Sequence, residues 1–330
     1  MKTKRTRAVA KRRQRLLSAA LASTFASIAV AGCGGSLRAT GSGAERGPAR
    51  VAPAAHSGSH FSQSASIPPM TALVLYQPLN LYRVYVNRLL TELRAQLIGL
   101  HAAATSGTIL AAEQDWLNAH VSWLRIGQDD KAYGAFGQLG QQIDGPASGL
   151  VGGTSNPNFT GFHRIEVDLW REHNLAAAAT DSRKLEALVA QLTPALVASE
   201  LSTSVTDLDA WVLRCHEILE DGLRDTLSGN DDYGSHSALA SLWADLSATG
   251  EMLGVLAPVI EVRIPSIVTE GASDLRALGE AISAAGGPHT FRPLNTLALR
   301  TRQRLNGATD AALEELAPVS ELLQIPVSGT

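Results

Sequence analysis

The chain has 330 residues, with 28 Lys and Arg against 31 Asp and Glu, so its formal net charge at pH 7 is only −3. Cys33 and Cys215 are its two thiols, and this scarcity argues against a site that selects soft metals. Aromatic residues make up 5% of the sequence, fewer than a carbohydrate-binding surface built on Trp and Tyr usually shows.

The N-terminal segment, residues 1–32, is typical of an export signal. It carries eight Lys or Arg and no acidic residue, and its basic start is followed by an apolar run too short to span a membrane. It ends in Val30-Ala31-Gly32-Cys33, a pattern typical of lipoprotein processing. We therefore expect a signal peptide at 1–32 and a lipid on Cys33 that anchors the chain to the outer face of the cell membrane. The alternative is an ordinary signal peptide in which Cys33 falls by chance.

Removal of this segment changes the charge of the chain. Taking eight of the 28 basic residues away leaves 20 against 31 acidic residues, a net charge of −11. An acidic exported protein is a poor candidate for binding nucleic acid and a reasonable one for binding cations. With Cys33 lipidated, Cys215 has no partner for a disulfide, and we expect it to be a small buried apolar residue.

The rest of the chain divides into two segments of different amino-acid composition. Residues 33–66 are rich in Gly, Ser, Ala and Pro and have few large apolar side chains, which predicts a flexible tether. From about residue 67 the sequence becomes rich in Leu and Ala with helical spacing, and almost nothing alternates with a period of two. The folded part, 67–330, is therefore predicted to be all-α.

The first predicted helix covers 79–101 and ends at Ser106-Gly107, after which Thr108 is expected to cap a second helix over about 109–126. A short Gly-interrupted segment, 131–142, precedes a loop at 145–158 in which Gly and Pro are dense enough to end helices. Further helices are predicted at 162–172, 182–198, 205–227, 235–262, 274–285, 294–305 and 310–323. These are too many for one four-helix bundle, so we expect two packed four-helix bundles, about 67–200 and 201–330.

A His-x-x-Glu pair stands at the start of the helix predicted over 162–172. His163 and Glu166 are three residues apart, so a helix places an imidazole and a carboxylate on one face, where both can bind a metal. The alternative is a solvated His and a solvated Glu on an amphipathic helix, because nine histidines make one such pair expected by chance.

The sequence around this pair resembles a known family. Four segments, in the family's order, are similar to those of the imelysin-like proteins, specifically the EfeO/EfeM type of iron-uptake lipoprotein. The family's N-terminal cupredoxin domain has no counterpart here, so the shorter EfeM-like plan is expected. The segments are Tyr82-Arg83-Val84-Tyr85-Val86, Phe136-Gly137-Gln138-Leu139-Gly140 leading to Ile143-Asp144, Phe159 to Glu166 with Leu169-Trp170, and Ser235-His236.

The resemblance implies two four-helix bundles and a metal site. It assigns His163 and Glu166 to the metal-binding motif and Asp144 to an acid beside it, and it matches Glu220 to an acidic position in the second bundle. Two glutamates usual in the family's second helix are replaced by Leu124 and Gly127. Counting back from the acid beside the motif places Asp130 where the second of these glutamates would be, so Asp130 is a further candidate ligand; the alternative is a solvated turn residue.

An imidazole with two or three carboxylates suits Fe(II), Fe(III), Mn(II) or Zn(II). The resemblance implies capture of iron outside the cytoplasm and its delivery to a membrane permease of the EfeUOB type, with a haem peroxidase as a further partner. Alternatives are a surface protein that binds polysaccharide through a bridging divalent cation, and a metallopeptidase. The sequence has no His-Glu-x-x-His motif and no evident nucleophile arrangement, so we expect no enzymatic activity.

Overall fold

A computed structural model describes residues 68–128 and 134–326, all of which belong to one compact unit. These residues form helices and connecting loops with no strand among them, which confirms the all-α prediction. The predicted signal peptide, the tether, Cys33 and Asp130 lie outside the described residues. None of the described helices combines the length and the apolar character needed to cross a membrane.

The helices follow one another along the chain with short connections. Helices α4 and α7 each continue into a π-helical turn, in which an amide bonds the carbonyl five residues earlier. The helices are α1 (Ala72–Ser106), α2 (Ile109–Leu124), α3 (Gly137–Asp144), α4 (Gly161–Glu166, then π-turn Val167–Arg171), α5 (Leu175–Gln191), α6 (Pro194–Glu200), α7 (Val205–Asp221, then π-turn Gly222–Thr226), α8 (Ala238–Ile260), α9 (Pro265–Ala285), α10 (Leu299–Leu316) and α11 (Pro318–Leu322).

Helix α1 is longer than its predicted span. It begins seven residues before position 79 and contains Pro78, whose neighbours Leu75 and Leu79 are both fully buried. The free energy gained by burying this first stretch in the core exceeds the cost of the hydrogen bond that is lost because proline has no N–H. The helix ends as predicted at Gly107, whose φ of 79° is left-handed. Thr108 precedes α2 without capping it through its side chain, contrary to the prediction.

Proline and capping residues explain the other differences in helix boundaries. The single helix predicted at 182–198 is wrong: α5 ends at Gln191, and Thr193 caps a new helix that has Pro194 in its first turn. Helix α9 begins at Pro265 rather than near 274 for the same reason. The two helices predicted at 294–305 and 310–323 are replaced by the continuous α10, which ends just before Pro318 starts α11.

One large core joins most of the described helices, and a small separate cluster is formed by Ala147, Phe159, Val167 and Tyr233. Helices α1, α2, α4 and α5 pack against one another, α7 to α10 form a second packed group, and α8 also packs on α1 and α2. Trp116, Trp123 and Trp211 are fully buried, as expected for core residues. This packing holds α2, α3 and α4 in fixed positions, which matters because the candidate metal ligands lie on them.

Cys215 lies in this core and is fully buried, which confirms its predicted role as an apolar residue. Burial raises the pKa of its thiol to about 12, so the thiol is protonated at pH 8 and is shielded from reagents. The pKa of the thiol in the folded chain lies above its ordinary value of 9.0. The stability gained by burying the neutral thiol is therefore fully present at pH values below 9.0, and it is lost as the pH rises toward the pKa of the folded chain.

We expect the peptide that contains Cys215 to remain unlabelled when the folded chain is treated with a maleimide at about pH 8, because the reactive thiolate is scarce and enclosed. The same peptide should label fully in urea. Peptide mass spectrometry measures both. Rapid labelling of Cys215 in the folded chain would contradict its burial.

Candidate metal centre

Four ionisable side chains from three helices meet beside the core. His120 comes from the middle of α2, Asp144 is the last residue of α3, and His163 and Glu166 lie on α4. The Asp144 carboxylate lies between the two imidazoles: its Oδ2 is 3.0 Å from His120 Nε2 and its Oδ1 is 3.6 Å from His163 Nε2. All four residues are buried. The chain therefore brings together side chains that are up to 166 − 120 = 46 positions apart in sequence.

Gly161 allows the end of α3 and the start of α4 to approach this closely. Its φ is +77°, and a Cβ at this position would lie 2.0 Å from the carbonyl oxygen of Ile143. A side chain is excluded both by the left-handed backbone and by this contact. Glycine at this position thus sets the distance between Asp144 and His163.

Aromatic rings hold α2 against α4. The Trp116 indole N–H donates to the Phe162 carbonyl at 2.9 Å, and the His120 ring lies 4.7 Å from the Trp116 ring and 5.0 Å from the Phe162 ring. His120 and His163 meet edge to face, with 5.5 Å between ring centroids. Packing of this kind restricts the rotation of His120, so the imidazole faces Asp144 without a large entropy cost on binding.

Glu166 is fixed by the loop that precedes α8. Its Oε1 accepts hydrogen bonds from the backbone N–H groups of Tyr233 and Ser235, each at 2.9 Å. Its Oε2 lies 3.1 Å from His163 Nδ1. A carboxylate accepts and cannot donate, so Nδ1 carries a proton, and Nε2, which faces Asp144, is the nitrogen that a metal ion can bind once its own proton is displaced.

Acidic groups determine the charge state of the centre. Burial by itself lowers the pKa of His163, but the charge of Asp144, and then the hydrogen bond and charge of Glu166, raise it to about 9. Burial also raises the pKa of Asp231 to about 6, against the opposing effect of His163. The cluster therefore holds a cation at neutral pH even without a metal, namely the protonated His163.

His120, Asp144 and His163 line a cleft of about 290 Å³. Among the described residues, four further aspartates and one arginine line the same cleft. An excess of carboxylates along one cleft produces a negative potential that attracts cations. These residues are Asp221, Asp225, Asp231 and Asp245, with Arg224.

The donors are suited to a metal ion. One donor atom each from His120, Asp144 and His163 lies within 4.8 Å of the others. Among the described residues, Asp144 Oδ1 has no hydrogen-bond partner although it is buried, and leaving such an oxygen without a partner is costly. A cation beside Oδ1 would remove this cost. Imidazole and carboxylate together suit iron, manganese and zinc.

The structure brings three of the predicted residues together, His163, Glu166 and Asp144. Glu220 lies elsewhere: its side chain is 51% exposed on α7 and its carboxylate is 3.8 Å from His216. His120 was not predicted. Its position on α2 between Trp116 and Trp123 gives it the appearance of a core residue. The sequence did contain one indication: His120 lies one helical turn before Leu124, the position at which the resemblance implies a glutamate.

Comparisons with known proteins agree with this fold. A family model described as Imelysin, which carries a peptidase label, matches residues 78–319. The iron uptake system component EfeO of Yersinia pseudotuberculosis is 20% identical over 259 residues, covering 76% of this chain and 65% of the relative. EfeO of Escherichia coli is 22% identical over 242 residues, covering 73% and 62%. The chain thus spans just under two thirds of the length of these relatives. Since the family match covers well over half of its residues, the chain belongs to the imelysin family.

Proposed function

We propose that this chain is a component of an iron-uptake system that binds iron outside the cytoplasm and passes it to a membrane permease. The observation that carries the proposal is the buried group of His163 and Asp144, in which Asp144 Oδ1 has no hydrogen-bond partner among the described residues and lies 3.6 Å from His163 Nε2. The printed names of the relatives, iron uptake system component, support iron as the cargo.

The surroundings of the centre favour capture of a cation over catalysis. Asp144 is buried, and His163 is already held as a cation by Asp144 and Glu166. A metal ion that replaces the proton on His163 keeps the positive charge that the carboxylates need. The aspartate-lined cleft would raise the local concentration of cations at the centre. We therefore propose binding and transfer of iron, with no chemical step on another molecule.

The proposal is tested by titrating the purified full chain with Fe(II) in anaerobic buffer and following the heat of binding. One saturable site per chain is expected. A chain that binds no iron in this titration overturns the proposed function.

The second part of the proposal concerns location, which depends on residues outside the structure. We propose that a lipid on Cys33 holds the chain at the outer face of the membrane, close to the permease that receives the iron. Cells fed with labelled palmitate should incorporate the label into the wild-type chain and not into Cys33→Ser, which should be released or remain as precursor. Cys215→Ser is the matched control and should be labelled like wild type. A mature, membrane-bound Cys33→Ser protein would contradict the lipid anchor.

A further inference from the structure

We infer that His120 is a third metal ligand and that Glu166 positions His163 without touching the metal, so that the centre consists of two imidazoles and one carboxylate. This inference rests on the proposed function, because it specifies how the same site holds its cargo. It also differs from what the His-x-x-Glu spacing suggests, which is that both members of the pair bind the metal.

Hydrogen bonds already engage both oxygens of Glu166. Oε1 already accepts two backbone N–H groups at 2.9 Å, and Oε2 accepts from His163 Nδ1 at 3.1 Å. The side chain is 1% exposed, so it cannot turn toward the cleft without leaving two buried amides unpaired, which costs about 1–3 kcal/mol for each group. Glu166 therefore acts through His163: it fixes the tautomer and directs Nε2 toward Asp144.

His120 contacts Asp144 directly. Its Nε2 is 3.0 Å from Asp144 Oδ2, so one carboxylate faces both imidazoles. The His120 ring is enclosed by Trp116, Phe162 and His163. It also lines the cleft, as Glu166 does not. A cation that enters the cleft and takes the place of the proton between His120 Nε2 and Asp144 Oδ2 thus meets three donors, from His120, Asp144 and His163.

The distances fit a shared ion. Metal–ligand bonds of about 2.1 Å at tetrahedral angles place two donor atoms about 3.4 Å apart. The distance between His163 Nε2 and Asp144 Oδ1 is 3.6 Å, which is too long for a good hydrogen bond and close to this value. The three donors lie within 4.8 Å of one another, so small side-chain rotations complete the site.

A centre with two nitrogen donors and one carboxylate prefers different metal ions from a centre that is rich in carboxylates. Imidazole favours ions such as Fe(II), Co(II) and Zn(II), whereas carboxylate oxygens alone suit Mn(II). Removal of His120 should therefore weaken Co(II) and Zn(II) binding more than Mn(II) binding. This change in selectivity is a property that a merely structural role of His120 would not produce.

The test uses Co(II), whose visible absorption reports its ligands, with the purified full chain. Replacing an imidazole by water weakens the ligand field. His120→Ala should therefore shift the Co(II) bands to longer wavelength and weaken binding by more than the roughly 10- to 100-fold that loss of an outer-sphere partner costs. Glu166→Gln should weaken binding within that range and leave the band positions unchanged. His216→Ala, an imidazole outside the cluster, is the matched control and should behave like wild type.

If His120→Ala folds poorly, His120→Phe keeps the inference testable, because it retains an aromatic ring against Trp116 and Phe162 but has no donor atom, and it should change the Co(II) spectrum in the same way. Leu124→Glu provides a separate gain-of-function test. Leu124 lies one helical turn after His120 and lines the same cleft. Leu124→Glu in the His120→Ala background should restore binding and shift the preference toward Mn(II), because a carboxylate replaces the lost nitrogen.

The outcomes separate the two proposals. Wild type that binds neither Co(II) nor iron overturns the proposed function and this inference together. Wild type that binds both, with the Co(II) spectrum unchanged in His120→Ala or altered in Glu166→Gln, overturns only the inference. Thermal melting of the metal-free variants shows whether each has folded.

Discussion

Replacing His163 by Gln, or Asp144 by Asn, should abolish saturable binding of Fe(II) to the full chain. Asn keeps the shape of Asp and Gln is a polar side chain of roughly the size of His, but each substitution removes a donor that the centre needs: the imidazole nitrogen in one case and the carboxylate charge in the other. We expect affinity to fall by more than the roughly 10- to 100-fold that outer-sphere changes cause. Isothermal titration in anaerobic buffer measures the loss, and melting of the metal-free protein reports any effect on folding.

The pH dependence of binding provides a second readout in the same experiment. The pKa of His163 in the metal-free site is about 9, so below this pH a proton occupies the imidazole that the metal requires. Affinity should rise with pH between about 6 and about 8, by up to about tenfold per unit if one proton is displaced. An affinity that is independent of pH in this range would show that iron does not bind at His163.

Glu220→Ala is the matched control. Glu220 lies four residues after His216 on α7, much as Glu166 lies three residues after His163 on α4. The Glu220 side chain, however, is exposed and lies outside the cluster. Binding should match that of wild type. A loss in Glu220→Ala as large as that in His163→Gln would contradict the centre at His163 and Asp144.

The contrast between these two pairs shows what local spacing can predict. His163 with Glu166 and His216 with Glu220 both place an imidazole and a carboxylate on one helix face. Only the packing of the helix decides which face lies inward: α4 is wedged between α2, α3 and α5, whereas Glu220 is on the outer side of α7. Spacing alone cannot supply this information, because it depends on contacts between distant parts of the chain.

His120 illustrates the converse. Its neighbours one turn away on α2 are Trp116 and Trp123, both fully buried, and a histidine on such an apolar face usually indicates core packing. Its importance appears only when Asp144, 24 positions later, meets its ring. The helical class, by contrast, followed from the spacing of apolar residues. Errors in helix limits occurred near prolines: Pro78 lies inside α1, where core burial overrides propensity, whereas Pro194 and Pro265 begin new helices.

Gly161→Ala is expected to have the largest effect on the fold and the site together. The new Cβ would lie 2.0 Å from the Ile143 carbonyl oxygen and 2.5 Å from that of Gln142, on a residue with a φ of +77°. Backbone strain costs about 1–3 kcal/mol and overpacking a similar amount. We expect the free energy of unfolding to fall by about 3–5 kcal/mol, which lowers Tm by on the order of 10 °C in a domain of this size.

The same substitution should abolish metal binding in molecules that remain folded. Relief of the clash requires the end of α3 to move away from α4. This movement separates Asp144 from His163, because Asp144 Oδ1 and His163 Nε2 are only 3.6 Å apart. Gly152→Ala is the control that separates the effect of backbone strain from the effect of the steric clash. Gly152 has a φ of +88°, but no atom lies within 4 Å of the added Cβ. That control should lose only about 1 kcal/mol and keep its affinity for iron. If Gly161→Ala melted and bound iron like Gly152→Ala, the close approach of α3 and α4 would not be what holds the two ligands together.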